Sequence, residues 1–99
     1  MTDVPTNTIT VIYPDGVIET RAPDGDVDED GNRLPSLKQM QRCVDGYIEL
    51  VRLDPLLGKT LVVNEEGTLM GLPFNPRASA IAGQPIVGNA LLVPTEDIL

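Results

Sequence analysis

Histidine and tryptophan are absent from this chain, cysteine occurs once, and only three side chains are aromatic. Without histidine, no Ser-His-Asp or Cys-His constellation can form, and no zinc site that uses imidazole. A single cysteine, Cys43, allows no internal disulfide, so an oxidising compartment offers the fold nothing. On an apolar helical face, Cys43 reads as a packed, inert thiol. With Tyr13, Tyr47 and Phe74 as the only aromatics, the core must come from Val, Ile and Leu. No apolar run approaches the ~20 residues of a membrane span. The N-terminus has neither a basic region nor an apolar one, so a cytoplasmic, soluble protein is expected.

Positive charge is scarce too. Seven basic residues against fifteen acidic ones leave a formal charge of −8, and the basic residues form no run. That charge repels phosphate backbones and anionic membranes, which disfavours direct nucleic-acid binding and membrane association. A basic protein surface or a cation is the easier partner, although charge of this size also serves solubility alone.

What is present fits one small domain. The chain has 99 residues, 41% of them hydrophobic and 22% charged, which is ordinary for a globular unit. Residues 1–7 read as a flexible leader, 8–94 as the domain, and 95–99 as a tail. Thr8–Tyr13 alternates as a strand, Pro14-Asp15-Gly16 turns it in a bulged hairpin, and Val17–Arg21 returns. Residues 23–35 form an acidic loop with nothing to pack a core. Ser36 and Gln39 fit a capping box that opens a short helix. Leu37, Met40 and Val44 are spaced to face the sheet, and Gly46 stands where a left-handed C-cap belongs. Strands follow at Tyr47–Leu53 and Thr60–Val63. Asn64-Glu65-Glu66-Gly67 is a turn, with Thr68–Met70 as its expected hairpin partner. Asn75 and Pro76 open a second helix that Gly83 stops. A last strand runs from Ile86 to Val93, interrupted at Gly88-Asn89. The order β-β-α-β-β-β-α-β predicts an α+β fold, one mostly antiparallel sheet with two short helices on one face.

Chemical motifs are few. Gly58-Lys59-Thr60 has the tail of a phosphate loop, but Leu53 stands where its first glycine belongs and a strand follows, so we read a chance match. Asp26, Asp28 and Asp30, with Gly31, match the first half of a calcium loop. The second half fails at Leu37, which leaves at most a weak cation site at those three aspartates and otherwise a solvated loop. Adjacent Glu65 and Glu66 diverge in a turn and do not pair as glycosidase carboxylates do. No enzyme constellation emerges, so we expect no catalytic activity, and no cofactor is implied.

Five segments in order carry a resemblance. They are Tyr13-Pro14-Asp15-Gly16; Leu37 to Val44-Asp45-Gly46-Tyr47-Ile48-Glu49; Val63-Asn64-Glu65-Glu66-Gly67; Leu72-Pro73-Phe74-Asn75-Pro76-Arg77-Ala78; and Ile86-Val87-Gly88-Asn89. Together they resemble the domain-of-unknown-function family 3846, small proteins of bacteriophages, plasmids and actinobacterial or firmicute genomes. The resemblance implies a mobile-element origin and an intracellular setting, and it brings no catalytic residues. The chain departs from the family pattern at Asp45, where a second glycine is commoner, and in its acidic insertion at Asp24–Asp30.

Two roles follow as expectations. One is an accessory protein that docks on a host protein with a basic surface through Asp26, Asp28 and Asp30, with a contact patch at Phe74, Asn75 and Arg77. In the alternative reading of that patch, Phe74 is core and Asn75 only caps the helix. The other role is a small-ligand, nucleotide-type binder with a pocket near Lys59, Asn75 and Arg77, because helix N-termini hold anions. A purely structural module is a third possibility.

Overall fold

A proline that presets φ, an aspartate and a glycine that accepts a left-handed backbone make the first turn. Gly16 has φ +91° and its N–H donates to the Tyr13 carbonyl. The Tyr13 N–H donates to Val17 and the Val17 N–H to the Asp15 carboxylate, the bulged closure read from the sequence. The computed structural model describes residues 8–97, so the leader at 1–7 lies outside the described residues. The turn joins β1 (Ile9–Ile12) to β2 (Ile18–Arg21) as an antiparallel pair.

The first helix, α1 (Leu37–Val44), starts where Ser36 Oγ accepts the Gln39 N–H. Gln39 does not complete the capping box. Its side chain donates to the Ala22 carbonyl and accepts the Asp24 N–H, and Asp24 supplies the reciprocal bond to the Ser36 N–H. The buried face is Gln39, Met40, Cys43 and Val44, while Leu37 is 55% exposed, contrary to its spacing. Leu37, the first residue after the cap, falls outside the contact stripe. At the other end the left-handed residue is Asp45 (φ +62°), one position earlier than expected. Gly46 has a different reason to be glycine, because a Cβ there would come within 2.8 Å of the Asn64 amide.

A second hairpin follows, β3 (Ile48–Arg52) against β4 (Lys59–Asn64), with a 3₁₀ turn at Pro55–Leu57 capped by Asp54. The expected strand at Thr68–Met70 does not form. Instead the chain coils through residues 65–71, with the Met70 N–H on the Glu66 carbonyl and the Leu72 N–H on the Gly67 carbonyl. The physical reason is topological: β3 and β5 already occupy both edges of β4, so a further partner has no free edge. Asn64 also takes the Glu66 N–H on its side chain and turns the backbone away.

Asn75 caps α2 (Pro76–Ala82), Gly83 ends it in the left-handed conformation, and β5 (Ala90–Pro94) closes the sheet. Gly88 (φ +76°) bends the chain just before β5, so the last strand begins only at Ala90, and Val87 bridges back to Phe74. Thr95–Asp97, expected as tail, make a 3₁₀ turn. The five strands run in the order β2-β1-β5-β4-β3 with every neighbour antiparallel. The α+β class and the antiparallel sheet match the sequence reading.

The placement of the helices does not match it. Side chains alternate across a strand, so Val62 and Leu91 face one side, and Leu61 and Ala90 the other. Ile9, Val11, Val62, Leu91 and Val93 pack with Met40, Cys43 and Val44 of α1. Ile12, Leu61, Val63 and Ala90 pack with Ala78 and Ala82 of α2. The two helices therefore cover opposite faces. The continuous apolar runs of β4 and β5, buried on both sides, are the signature of such a sheet.

Asp45 generates a prediction. A side chain in the left-handed region is strained, and an acidic residue beside a helix C-terminus opposes the helix dipole. Asp45→Gly is expected to stabilise the protein by roughly 0.5–1 kcal/mol, read as a higher urea midpoint at unchanged slope. A lower midpoint would show that the Asp45 side chain contributes more than its backbone conformation costs.

Candidate functional site

The acidic segment is more ordered than a loop with no packing residues suggests. Pro23 and Pro35 at its ends are buried. Between them the chain forms a small hairpin: Val27 bridges Arg33, Leu34 N–H donates to Asp26, and Asp28 N–H to Asn32. Asp28 Oδ1 closes the tip by accepting both the Asp30 and the Asn32 N–H at 2.9 Å. Asp26, Glu29 and Asp30 are exposed. Among the described residues no three acidic or cysteine side chains gather as metal ligands, so Asp26, Asp28 and Asp30 do not form the cation site their spacing suggested. The hairpin geometry separates them.

Asp24 fastens this hairpin to α1. It accepts the Ser36 hydroxyl at 2.6 Å and the Arg42 guanidinium at 3.0 Å. The Ser36 hydroxyl bond is the main reason its carboxyl sits below its ordinary range, with the Ser36 N–H and Arg42 adding to it. Asp24 is therefore a structural acid, and the outward negative charge belongs to residues 26–30.

The second expected patch divides. Phe74 is 56% exposed, so it is not core, and Arg77 is exposed as well. Asn75 between them is 0% exposed. Its Oδ1 accepts the Ala78 N–H, and its Nδ2 donates to the carbonyls of Ile12 and Gly88, each at 2.9 Å. With every polar atom of its side chain bonded inside the protein, Asn75 offers nothing to a partner or ligand.

The nucleotide-type pocket does not assemble either. Arg77 borders a shallow depression with Pro14, Asp15 and Gly16, near the end of the sheet where Ile12 pairs with Ala90. Lys59 pairs with Pro94 at the far end of β5, roughly 13 Å away at ~3.3 Å per residue. Lys59 instead borders a groove of about 540 Å³ at the β3 edge, which Arg52 and Thr60 also line. Sequence reasoning missed Arg52. The register of the β3–β4 hairpin sets Arg52 opposite Thr60, on the face that also carries Leu50, while Lys59 belongs to the other face.

Cys43 is buried under α1, and that burial pushes its thiol above its ordinary range. It is a core residue and no nucleophile at neutral pH. No helix among the described residues is long and apolar enough to cross a membrane.

The Asp24 node predicts a pH dependence. A carboxyl whose folded pKa is depressed contributes stability that is present above its unfolded value, near 3.9, and is lost as pH falls through the folded value. Asp24→Asn should therefore lower Tm at pH 7, and the gap from the parent protein should close in strong acid, where both forms are neutral. A gap that persists there would assign the effect to packing.

The segments that carried the family resemblance can now be placed. The Pro14 turn, Gly46 against Asn64, Asn75 at the head of α2 and Asn89, which bonds the Cys43 carbonyl, hold the helices and hairpins on the sheet. No curated protein and no solved structure matches the chain. A family model described as a domain of unknown function, DUF3846, matches residues 7–98 and so spans all of these fasteners: the chain belongs to the DUF3846 family.

Proposed function

We propose that the protein is a non-catalytic accessory factor, of the kind mobile elements carry, that binds a host protein through a basic surface in the cytoplasm. The observation that carries this reading is the acidic hairpin. Asp26, Asp28, Glu29 and Asp30 stand on a segment whose backbone is already fixed by the Val27–Arg33 bridge and the Asp28 turn. A preformed acidic element loses little conformational freedom on docking, and its charge speeds the encounter with a cationic partner. The formal charge of −8 acts in the same direction. The mobile-element setting is taken from the family resemblance.

The test exploits the turn chemistry. Asn keeps the side-chain oxygen that closes the Asp28 turn, so Asp26→Asn, Asp28→Asn and Asp30→Asn together remove charge and leave the hairpin formed. In affinity capture from bacterial lysate at low and at high salt, the parent protein should retain a stoichiometric partner at low salt only. The triple variant should lose that partner. Equal capture by both proteins, or capture indifferent to salt, would overturn the electrostatic reading.

A further inference from the structure

β3 is an edge strand, and its outer side carries backbone groups that the fold leaves unused. Hydrogen-bonded pairs alternate along an antiparallel ladder. The Glu65 N–H donates to the Tyr47 carbonyl, so in the same register Glu49 and Val51 turn their backbone groups toward β4. Ile48, Leu50 and Arg52 turn theirs outward, and no described residue bonds them. Neither proline nor bulge, two of the devices that protect a sheet edge, interrupts Ile48–Arg52. At the opposite edge the Tyr13–Val17 bond sets the register, and β2 offers outward groups at Ile18 and Thr20 only.

The two faces of the β3 edge differ. Ile48 and Leu50 lie on the α1 side, where Ile48 packs on the core and Leu50 is left 44% exposed. Glu49 lies on the α2 side with Val51 and Val63. There it borders a cavity of about 140 Å³ together with Glu65, Thr68 and Gln84. No basic side chain lines that cavity, and among the described residues neither glutamate makes an ion pair. Its volume is below the ~300 Å³ at which small-molecule pockets begin and suits the head of a single side chain. A second copy of the chain brings no cation to it, because β3 carries Glu49 and Val51 on that face. We propose that the β3 edge binds an extended segment of another protein with the side-chain order apolar–basic–apolar. The segment adds a sixth strand to the sheet, and its two apolar residues exchange main-chain bonds with Ile48 and Leu50. Its basic side chain stands opposite Glu49, at the non-bonded position where facing side chains are closest, and reaches the carboxylates of Glu49 and Glu65.

The blocked peptide Ser-Thr-Val-Arg-Val-Thr-Ser is a direct probe, followed by amide chemical shifts on ¹⁵N-labelled protein. Two relatives separate the contributions. Glutamate in place of its arginine reverses the charge, and N-methylation of both valines removes the N–H groups that face β3. The first peptide should give saturable shifts at Ile48, Glu49, Leu50, Val51 and Glu65, with slowed hydrogen exchange at the Ile48 and Leu50 amides. Neither relative should do so. Glu49→Gln combined with Glu65→Gln should weaken the peptide at least about tenfold, the size of one charge-assisted hydrogen bond, with the remaining spectrum unchanged. The variant neutralised at residues 26, 28 and 30 should bind the peptide as the parent does, which keeps this site separate from the acidic hairpin. Absence of saturable shifts, shifts centred on residues 26–30, equal binding of either relative, or unchanged affinity in the Gln variant would each overturn the proposal. So would slowed exchange at Ile48 and Leu50 that rises with protein concentration in the absence of peptide, because a second copy would then occupy the edge.

Discussion

The carboxamide of Asn75 is where the two halves of the molecule are tied together. One side chain caps α2, holds the last carbonyl of β1 and holds the carbonyl of Gly88, two residues before β5. Its backbone adds a bond from its N–H to Ile86, and its carbonyl takes the Ser79 hydroxyl. A buried amide without partners costs about 1–3 kcal/mol for each group left unpaired, so the site is stabilising only because all three bonds are made together. Asn64 and Asn89 do the same work on the other face, holding the carbonyls that end α1. Each helix is thus attached to its own face of the sheet by asparagine amides, those of Asn64 and Asn75 buried and that of Asn89 half-buried, as well as by apolar packing.

That arrangement explains the topology. Two local hairpins come first in the chain, and β5, the last strand, inserts between them to pair with both β1 and β4. Nothing joins the hairpins in the sheet until β5 arrives. The residues just before it must therefore be held in place, and Ser79, Asn75 and the Gly88 bend hold them. The two outer strands remain as edges. The acidic hairpin follows β2 at one of them, and the groove with Arg52 and Lys59 adjoins β3 at the other.

Much of this was legible in the sequence wherever a local rule decides. The Pro14-Asp15-Gly16 turn, the Ser36 and Asn75 caps and the breaks at Asp54-Pro55 and Gly88 each follow from the backbone chemistry of single residues. What was not legible depended on distant partners. Spacing placed Leu37 in the core, but the contact stripe of α1 is fixed by how Gln39 is held at Ala22 and Asp24. Thr68–Met70 has strand character and lost because β4, its expected partner, is already flanked by β3 and β5. Gly46 looked like a left-handed cap because one glycine serves turns and close approaches alike, and only the Asn64 contact separates the two. The element order alone is compatible with helices on one face, and only the burial of β4 and β5 on both sides shows that each face has its own helix. For the candidate site, charge pointed to residues 26–30, whereas Arg52 required the pairing register.

The dependence of the fold on Asn75 is open to one direct measurement, equilibrium urea unfolding of Asn75→Ala. With the Ile12 and Gly88 carbonyls and the Ala78 N–H all left without their partner, the variant should lose at least about 3 kcal/mol at an unchanged slope. A loss below about 1 kcal/mol, the size of an ordinary exposed helix cap, would contradict the account and leave apolar packing alone to hold α2 on the sheet.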